Sequence, residues 1–327
     1  MLGYILRRLL NTIVMVIIAS TAGYFLASTA LFPRGNYEAA NPPIPKESID
    51  AVLDRSNVND ETPLLERYGT WASHVVRGDF GLDLDGNRIN EEFSRRIWVS
   101  LRLLVLGSVI GATLGVLVGV VSAVRQYKFF DRSFSLGAYF LLSTPVFLLA
   151  ILLKFGGIKF NDWIGSTFFF TQGEYSAGFE GTGFEFFVNR LQHLILPTLS
   201  IALGSIAFYS RYQRNAMLDV LGSDHLRTAR AKGLTRRQAL VRHGLRVAIS
   251  PMATFFAYGF GLLIAGAAFT ETIYGWFGMG QWFITAVAKN DINSVTAVVT
   301  FTSVLVLFSG FLADVVLVAL DPRVRSR

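Results

Sequence analysis

No cysteine occurs anywhere in the 327 residues, which excludes disulfides, thiolate zinc sites and cysteine-held iron–sulfur clusters on either side of a membrane. Charge is scarce too, at 16% of the chain. The four histidines, His74, His193, His225 and His243, have no metal-ligating companion at helical spacing, and the motifs HExxH, GxSxG and GxxxxGK[ST] are missing. These gaps remove the common zinc-protease, nucleophile-elbow and phosphate-cradling arrangements. No catalytic residue, no metal site and no cofactor bound by this chain is expected. Any uphill work it takes part in draws its energy from elsewhere.

What is abundant is apolar. The chain is 52% hydrophobic with a mean hydropathy of +0.45, the habit of a polytopic membrane protein. A formal charge of +7 would suit nucleic acid if the basic residues lay on a surface poor in long apolar runs. Here they lie between such runs, and nucleic acid is not an expected partner.

Six uncharged runs stand out: Leu9–Phe32, Leu103–Val124, Phe134–Leu153, Leu194–Ser210, Val247–Thr270 and Ser294–Ala313. Each is near the roughly 20 residues that cross a bilayer as a helix. The first exceeds the apolar core of a signal peptide and is followed by Pro33 rather than a cleavage site, so it is read as a retained helix. Basic residues set the direction. Arg7 and Arg8, then Arg125, Lys128 and Arg132, then Arg211 through Arg246, then Arg323, Arg325 and Arg327 all fall on one side. That side is predicted to be cytosolic, with both termini inside. The acids Glu38, Glu47, Asp50, Asp54, Asp60, Glu61 and Glu66 gather on the other side. Arg95, Arg96 and Arg102 break the pattern, with Glu91 and Glu92 close enough to pair with them.

The predicted organisation is therefore all-α: a first transmembrane helix at 1–32, an extracytoplasmic region at 33–97, a core at 98–320 carrying a cytosolic loop at 211–246, and a cytosolic tail at 321–327. The region 33–97 looks large enough for a small cap without an obvious core of its own. Gly156–Gln192, rich in Gly and Phe, is predicted to be an irregular lid or re-entrant piece.

The second run places Gly107, Gly111, Gly115 and Gly119 on one helix face, a stripe that lets another helix come close. Pro145, Pro197 and Pro251 fall inside or at the edge of runs and are expected to kink them. Lys154 and Glu271 are expected at the interface, Lys154 by extending its amine outward, and Asp314 is expected to face inward as a structural residue. Carboxylates or histidines well inside the spans, which ion-coupled carriers use, are lacking. Tyr258, Gly259 and Gly261 in the fifth run are candidates for lining a path, because glycine lets backbone face a cavity.

The basic loop contains "SDHLRTARAKGLTRRQALVRHGLRVAISP", Ser223–Pro251. Ser223 with Asp224 starts a helix, Gly233 can stop it, and Thr235 with Gln238 forms a second start in capping-box spacing. Leu226, Ala229 and Gly233 share a narrow face flanked by Arg227, Arg230 and Lys232. That pattern suits a knob for a groove on another protein, or contact with anionic lipid headgroups.

The same loop resembles the cytoplasmic loop of ABC importer membrane subunits, whose signature is E-A-A, three residues, then G. Ala229 and Gly233 match, while Arg227 and Thr228 stand where the glutamate and first alanine would be. "RTARAKGL" and "HGLRVAISP" are similar to the peptide-importer branch, the oligopeptide/dipeptide permease family. "YILRRLL", "RGDFG", "STPVF", "LQHLILPTLSIAL", "ETIYGWFGMGQ" and "DPRVR" follow in the expected order. The resemblance implies a type I ABC importer fold in the bacterial cytoplasmic membrane. It also implies a homologous second membrane subunit, cytosolic ATPases that hold ATP and magnesium, and an extracytoplasmic peptide-binding protein. Coupling to the ATPase would fall to Arg227, Ala229, Arg230, Lys232, Gly233 and Leu234, with Ala229 and Gly233 kept small for docking. A nickel or other small-solute permease of the same branch would share every one of these motifs. An intramembrane enzyme would need a polar cluster inside the spans, and a scaffold would not need the loop.

Overall fold

The computed structural model describes residues 2–38 and 41–320; the tail 321–327 lies outside the described residues. In chain order the helices are α1 (Leu2–Ala30), α2 (Gly35–Glu38), α3 (Lys46–Arg55), α4 (Leu64–Val76), α5 (Ile89–Val124), α6 (Phe129–Ser143), α7 (Val146–Ile164), α8 (Gly183–Leu221), α9 (Asp224–Ala231), α10 (Arg236–Ala239), a π-helical turn (Leu240–Gly244), α11 (Leu245–Tyr274), α12 (Met279–Ala288) and α13 (Ile292–Leu320). Among the described residues the only extended pairing is an isolated bridge between Leu82 and Arg88. Helices dominate because, in lipid, a helix satisfies its backbone within one segment.

Five of the six apolar runs lie on single helices, α1, α5, α8, α11 and α13. The third does not. Phe134–Leu153 is predicted as one span, yet the chain breaks before Pro145 into α6 and α7, whose axes differ by 110°. Proline lacks the N–H that would continue the ladder and pushes the preceding residue out of the helical region; Thr144 accordingly has ψ 124°. Pro197 and Pro251, by contrast, sit inside α8 and α11, which run on through them. Among the described residues four helices are long and apolar enough to cross a membrane, and the bent pair would add a fifth. The predicted irregular piece shrinks to residues 165–182, because α7 reaches Ile164 and α8 starts at Gly183.

The chain divides into two compact units. The first comprises Arg102–Trp276 with the end of α13 from Ser309. Here α5 and α8 meet along the glycine stripe. A Cβ on Gly107 would stand 2.7 Å from Ile201, one on Gly115 2.7 Å from Tyr209, and one on Gly119 2.6 Å from the Ser210 carbonyl oxygen, while one on Gly111 would collide with Ser205. Arg214 grips Asp131 with two hydrogen bonds of 2.6 and 2.9 Å, pinning the start of α6 to α8.

The loop 165–182 is held from three sides. Asn161 accepts from the Phe168 and Phe169 amides and donates to the Phe169 carbonyl. The buried His193 ring meets the Gly173 carbonyl at 2.9 Å and stacks on Phe170. The Gly173 amide donates to the Tyr274 carbonyl at 2.8 Å.

Three expectations change here. Lys154 does not extend outward: its Nζ donates to the Ile273 carbonyl at 2.5 Å, where the last turn of α11 leaves carbonyls unmatched. Glu271, expected at the interface, is fully buried. The loop 165–182 is joined to the end of α11 through Gly173 and Tyr274. Asp314 is buried, as expected. Arg102 pairs with Glu174 at 2.9 Å rather than with Glu91 or Glu92.

The second unit comprises Leu2–Leu101 with Phe277–Phe308. The region after α1 has a small core after all, in which Leu53, Val58, Trp71 and Ile89 are buried. Arg34 organises it, donating to Asp50 and Asp60 at 2.7 Å each and to Asn59 at 3.0 Å. Asn293 donates to the carbonyls of Ser56 and Leu82 at 2.6 and 2.9 Å. Glu92 takes both Arg95 and Arg96, and Arg96 also lies 5.5 Å over the Trp282 ring.

The glycine stripe yields a comparative prediction. Gly115→Leu forces α5 and α8 apart and lowers the thermal midpoint in detergent, the loss corresponding to about 1–3 kcal/mol of overpacking. Gly137→Leu, where a Cβ meets nothing within 4 Å, leaves that midpoint unchanged. Equal melting of the two variants would sink the close-approach account.

Candidate coupling loop and membrane cavity

The basic loop folds as two short helices around a glycine turn. Ser223 occupies the cap position of α9, but its hydroxyl donates back to the Val220 carbonyl at 2.7 Å instead of capping. At the far end the Gly233 amide donates to the Arg230 carbonyl and the Leu234 amide to the Ala229 carbonyl, with Gly233 at φ +89°. That is the Schellman closure, which requires the left-handed conformation glycine adopts at no steric cost. Thr235 and Gln238 then cap each other, each accepting the other's backbone amide, at 3.3 and 3.0 Å. The Leu240–Gly244 π turn carries the chain into α11.

An eight-residue helix is not stable alone, and α9 is held by packing its apolar side inward. Leu226, Ala229 and Ala239 are buried together, with Val220, Leu221, Leu234 and Leu240 against them. A Cβ at Gly244 would stand 3.3 Å from Val220 and 3.4 Å from Leu226, so that glycine also serves the loop's own packing. This corrects the expected small-residue knob. Ala229 does not share an outward face with Gly233; its methyl fills the loop's interior because Leu226 and Ala229 are the apolar residues α9 has available on that side. Arg227, Arg230, Lys232 and Gly233 are exposed, and Leu234 is half-buried. The Arg227–Asp224 pair, at 3.6 Å and well exposed on both sides, adds little. The presented surface is therefore a basic rim around a backbone turn, braced from beneath by Ala229 and Leu234.

A second feature lies among the membrane helices of the first unit. A cavity of about 320 Å³ opens where α6 breaks from α7, lined by Ser108, Thr144, Ser200, Ser205, Phe208, Tyr209, Phe256 and Gly259 among others. No charged side chain among the described residues lines it. Of the three candidate path-lining residues, Gly259 lines this cavity, whereas Tyr258 and Gly261 share α11 but their surroundings lie outside the described residues. The hydroxyls of Ser108, Ser200, Ser205 and Thr144 carry no sequence signal of their own. They come together only because the Pro145 break and the α5–α8 approach are both present.

Comparison with known proteins gives a consistent result. Residues 115–326 match the family described as "Binding-protein-dependent transport system inner membrane component". The chain is 49% identical over 325 residues, 99% of both lengths, to the oligopeptide transport system permease protein OppB of Mycobacterium tuberculosis. It is 29% identical over 327 residues to the oligopeptide transport system permease protein AppB of Bacillus subtilis, covering 99% of each. With the dipeptide transport system permease protein DppB of Escherichia coli it shares 29% over 287 residues, 82% of this chain and 83% of the other. Apolar helices, a basic helical loop and full-length similarity to permease subunits agree, and the chain belongs to the binding-protein-dependent transport system inner membrane components.

Proposed function

We propose that this chain is one of two membrane-spanning subunits of an ATP-driven importer that brings oligopeptides or dipeptides into the cytosol. One observation carries the cargo: 49% identity across 99% of both lengths to proteins named as oligopeptide permeases. The other parts follow from the family and the loop. A homologous second membrane subunit completes the path, cytosolic ATPases bind ATP and magnesium, and an extracytoplasmic binding protein delivers the peptide. Membrane lipid surrounds the helices.

The basic loop faces the cytosol in this scheme, with both termini on the same side, and its rim enters a cleft on one ATPase. Arg227, Arg230 and Lys232 supply the charge, and the Gly233 turn supplies close backbone approach. Ala229 and Leu234 act from inside the loop by holding that turn in shape. The cavity suits a path for peptides of varied sequence. Its wall is mostly apolar, and no charged side chain among the described residues lines it to select among side chains.

Three measurements test this. Co-purification with the neighbouring gene products should recover ATPases whose turnover rises when peptide-loaded binding protein is added; a response to nickel or another solute, with none to peptide, would reassign the cargo. Gly233→Asp should still insert but lose most of the peptide-stimulated turnover, because a charged Cβ-bearing residue at φ +89° both strains the turn and opposes docking. Ala229→Leu should act differently, overpacking the loop by about 1–3 kcal/mol and speeding its cleavage by trypsin in the isolated chain, before any partner is present. Wild-type cleavage rates in that variant would show that Ala229 does not brace the loop.

A further inference from the structure

We propose that a cleft in the second unit, beside α4, is an accessory binding site for a small zwitterion of amino-acid to dipeptide size, held through its carboxylate. The site is separate from the membrane cavity and the basic loop. It takes Trp71, His74, Asp79, Phe80 and Gly81 from "WASHVVRGDFG", a stretch the transport reading leaves without a role, and the proposed orientation places it on the extracytoplasmic side.

The cleft measures about 530 Å³, inside the roughly 300–1,000 Å³ that small-ligand sites occupy. Its chemistry is lopsided toward donors. Arg55, at the end of α3, and Arg88, just before α5, both line it, and neither has an ion-pair partner among the described residues. A guanidinium presents a planar fork that matches a carboxylate. Trp71 also lines the cleft, is 6% exposed, and its indole N–H has no acceptor among the described residues. That N–H is closed off from solvent, so Trp71 contributes the flat wall of its ring and not a donor to a ligand. His74 stands one turn after Trp71 on the same face of α4. The exposed carboxylate of Asp79 lies in the same lining, a partner for an ammonium group, and Phe80 gives an apolar wall.

The frame is pre-set. Gly78, at φ +78°, closes α4 with its amide on the Val75 carbonyl and the Asp79 amide on the His74 carbonyl. Asn90 accepts the Phe80 amide at 2.8 Å and donates to the Gly78 carbonyl at 2.5 Å. Asp79 uses one oxygen to accept the Gly81 amide at 3.0 Å, which orients the carboxylate and leaves its other oxygen for a ligand. Two guanidinium forks and one carboxylate, lining a cleft fixed by backbone bonds, make a site for a molecule bearing both charges.

The test uses the full-length chain in lipid nanodiscs and isothermal titration with alanyl-alanine. Saturable binding is expected, weakened tenfold or more when the ligand is alanyl-alanine amide, which lacks the carboxylate. Arg55→Gln and Arg88→Gln, both at exposed positions, should each weaken alanyl-alanine tenfold or more without lowering the melting temperature. Asp79→Asn should weaken alanyl-alanine but leave N-acetyl-alanyl-alanine unaffected, since that ligand has no ammonium to lose. Three results would overturn the proposal: no saturable binding, equal binding of the amide, or unchanged affinity in both arginine variants, which would place any binding elsewhere, for example in the membrane cavity. Peptide binding that survives here while the assembled importer fails to take up peptide would count against the transport reading and not against this site.

Discussion

Gly107, Gly111, Gly115 and Gly119 leave α5 bare on the face that meets α8, and the carbonyls of Ala202 and Ile206 stand only 3.0 Å from where Cβ atoms on Gly111 and Gly115 would be. In lipid, apolar burial gives no drive between helices, so contact this close is what association rests on. The facing row on α8, Ile201, Ser205, Tyr209 and Gln213, has the same four-residue spacing, which sets register as well as distance. Other contacts of this unit attach to α8. Arg214 holds α6 through Asp131. Tyr274 of α11 meets Ser200 of α8 at 3.1 Å and donates to Ala150 of α7 at 3.0 Å. Loosening the α5–α8 contact would therefore disturb the walls of the cavity as well.

Much of this was legible in the sequence because the signals were local. Long uncharged runs, a four-residue glycine repeat, and Thr235 with Gln238 each depend on neighbours along the chain, and the structure forms helices and a capping box there. What could not be read depended on distant segments. Pro145 looks like Pro197 and Pro251 in sequence, yet it alone separates two helices by 110°. Lys154 meets the end of α11 more than a hundred residues away, and no rule about flexible stems anticipates that. Arg214, counted among the loop's positive charges, is engaged internally by Asp131.

The loop carries the clearest lesson about reading a stripe. Leu226, Ala229 and Gly233 do fall on one side by spacing, but spacing does not say whether that side faces a partner or the chain itself. A short helix with little apolar surface uses it for its own stability, and the chain's own Ala239 and Leu240 stand against it. The rim left outside is basic and the turn is backbone, so a residue small because it is packed inside and a residue that is glycine because of its positive φ stand four positions apart.

From Arg236 to Tyr274 no residue leaves helical conformation, since α10, the π turn and α11 follow without a gap. Arg236, three residues past the Gly233 turn, and Gly259 are thus joined by continuous helix of about 35 Å at 1.5 Å per residue. The helix that opens beneath the basic loop is therefore the same one that supplies Gly259 to the cavity wall, with no non-helical residue between the two ends.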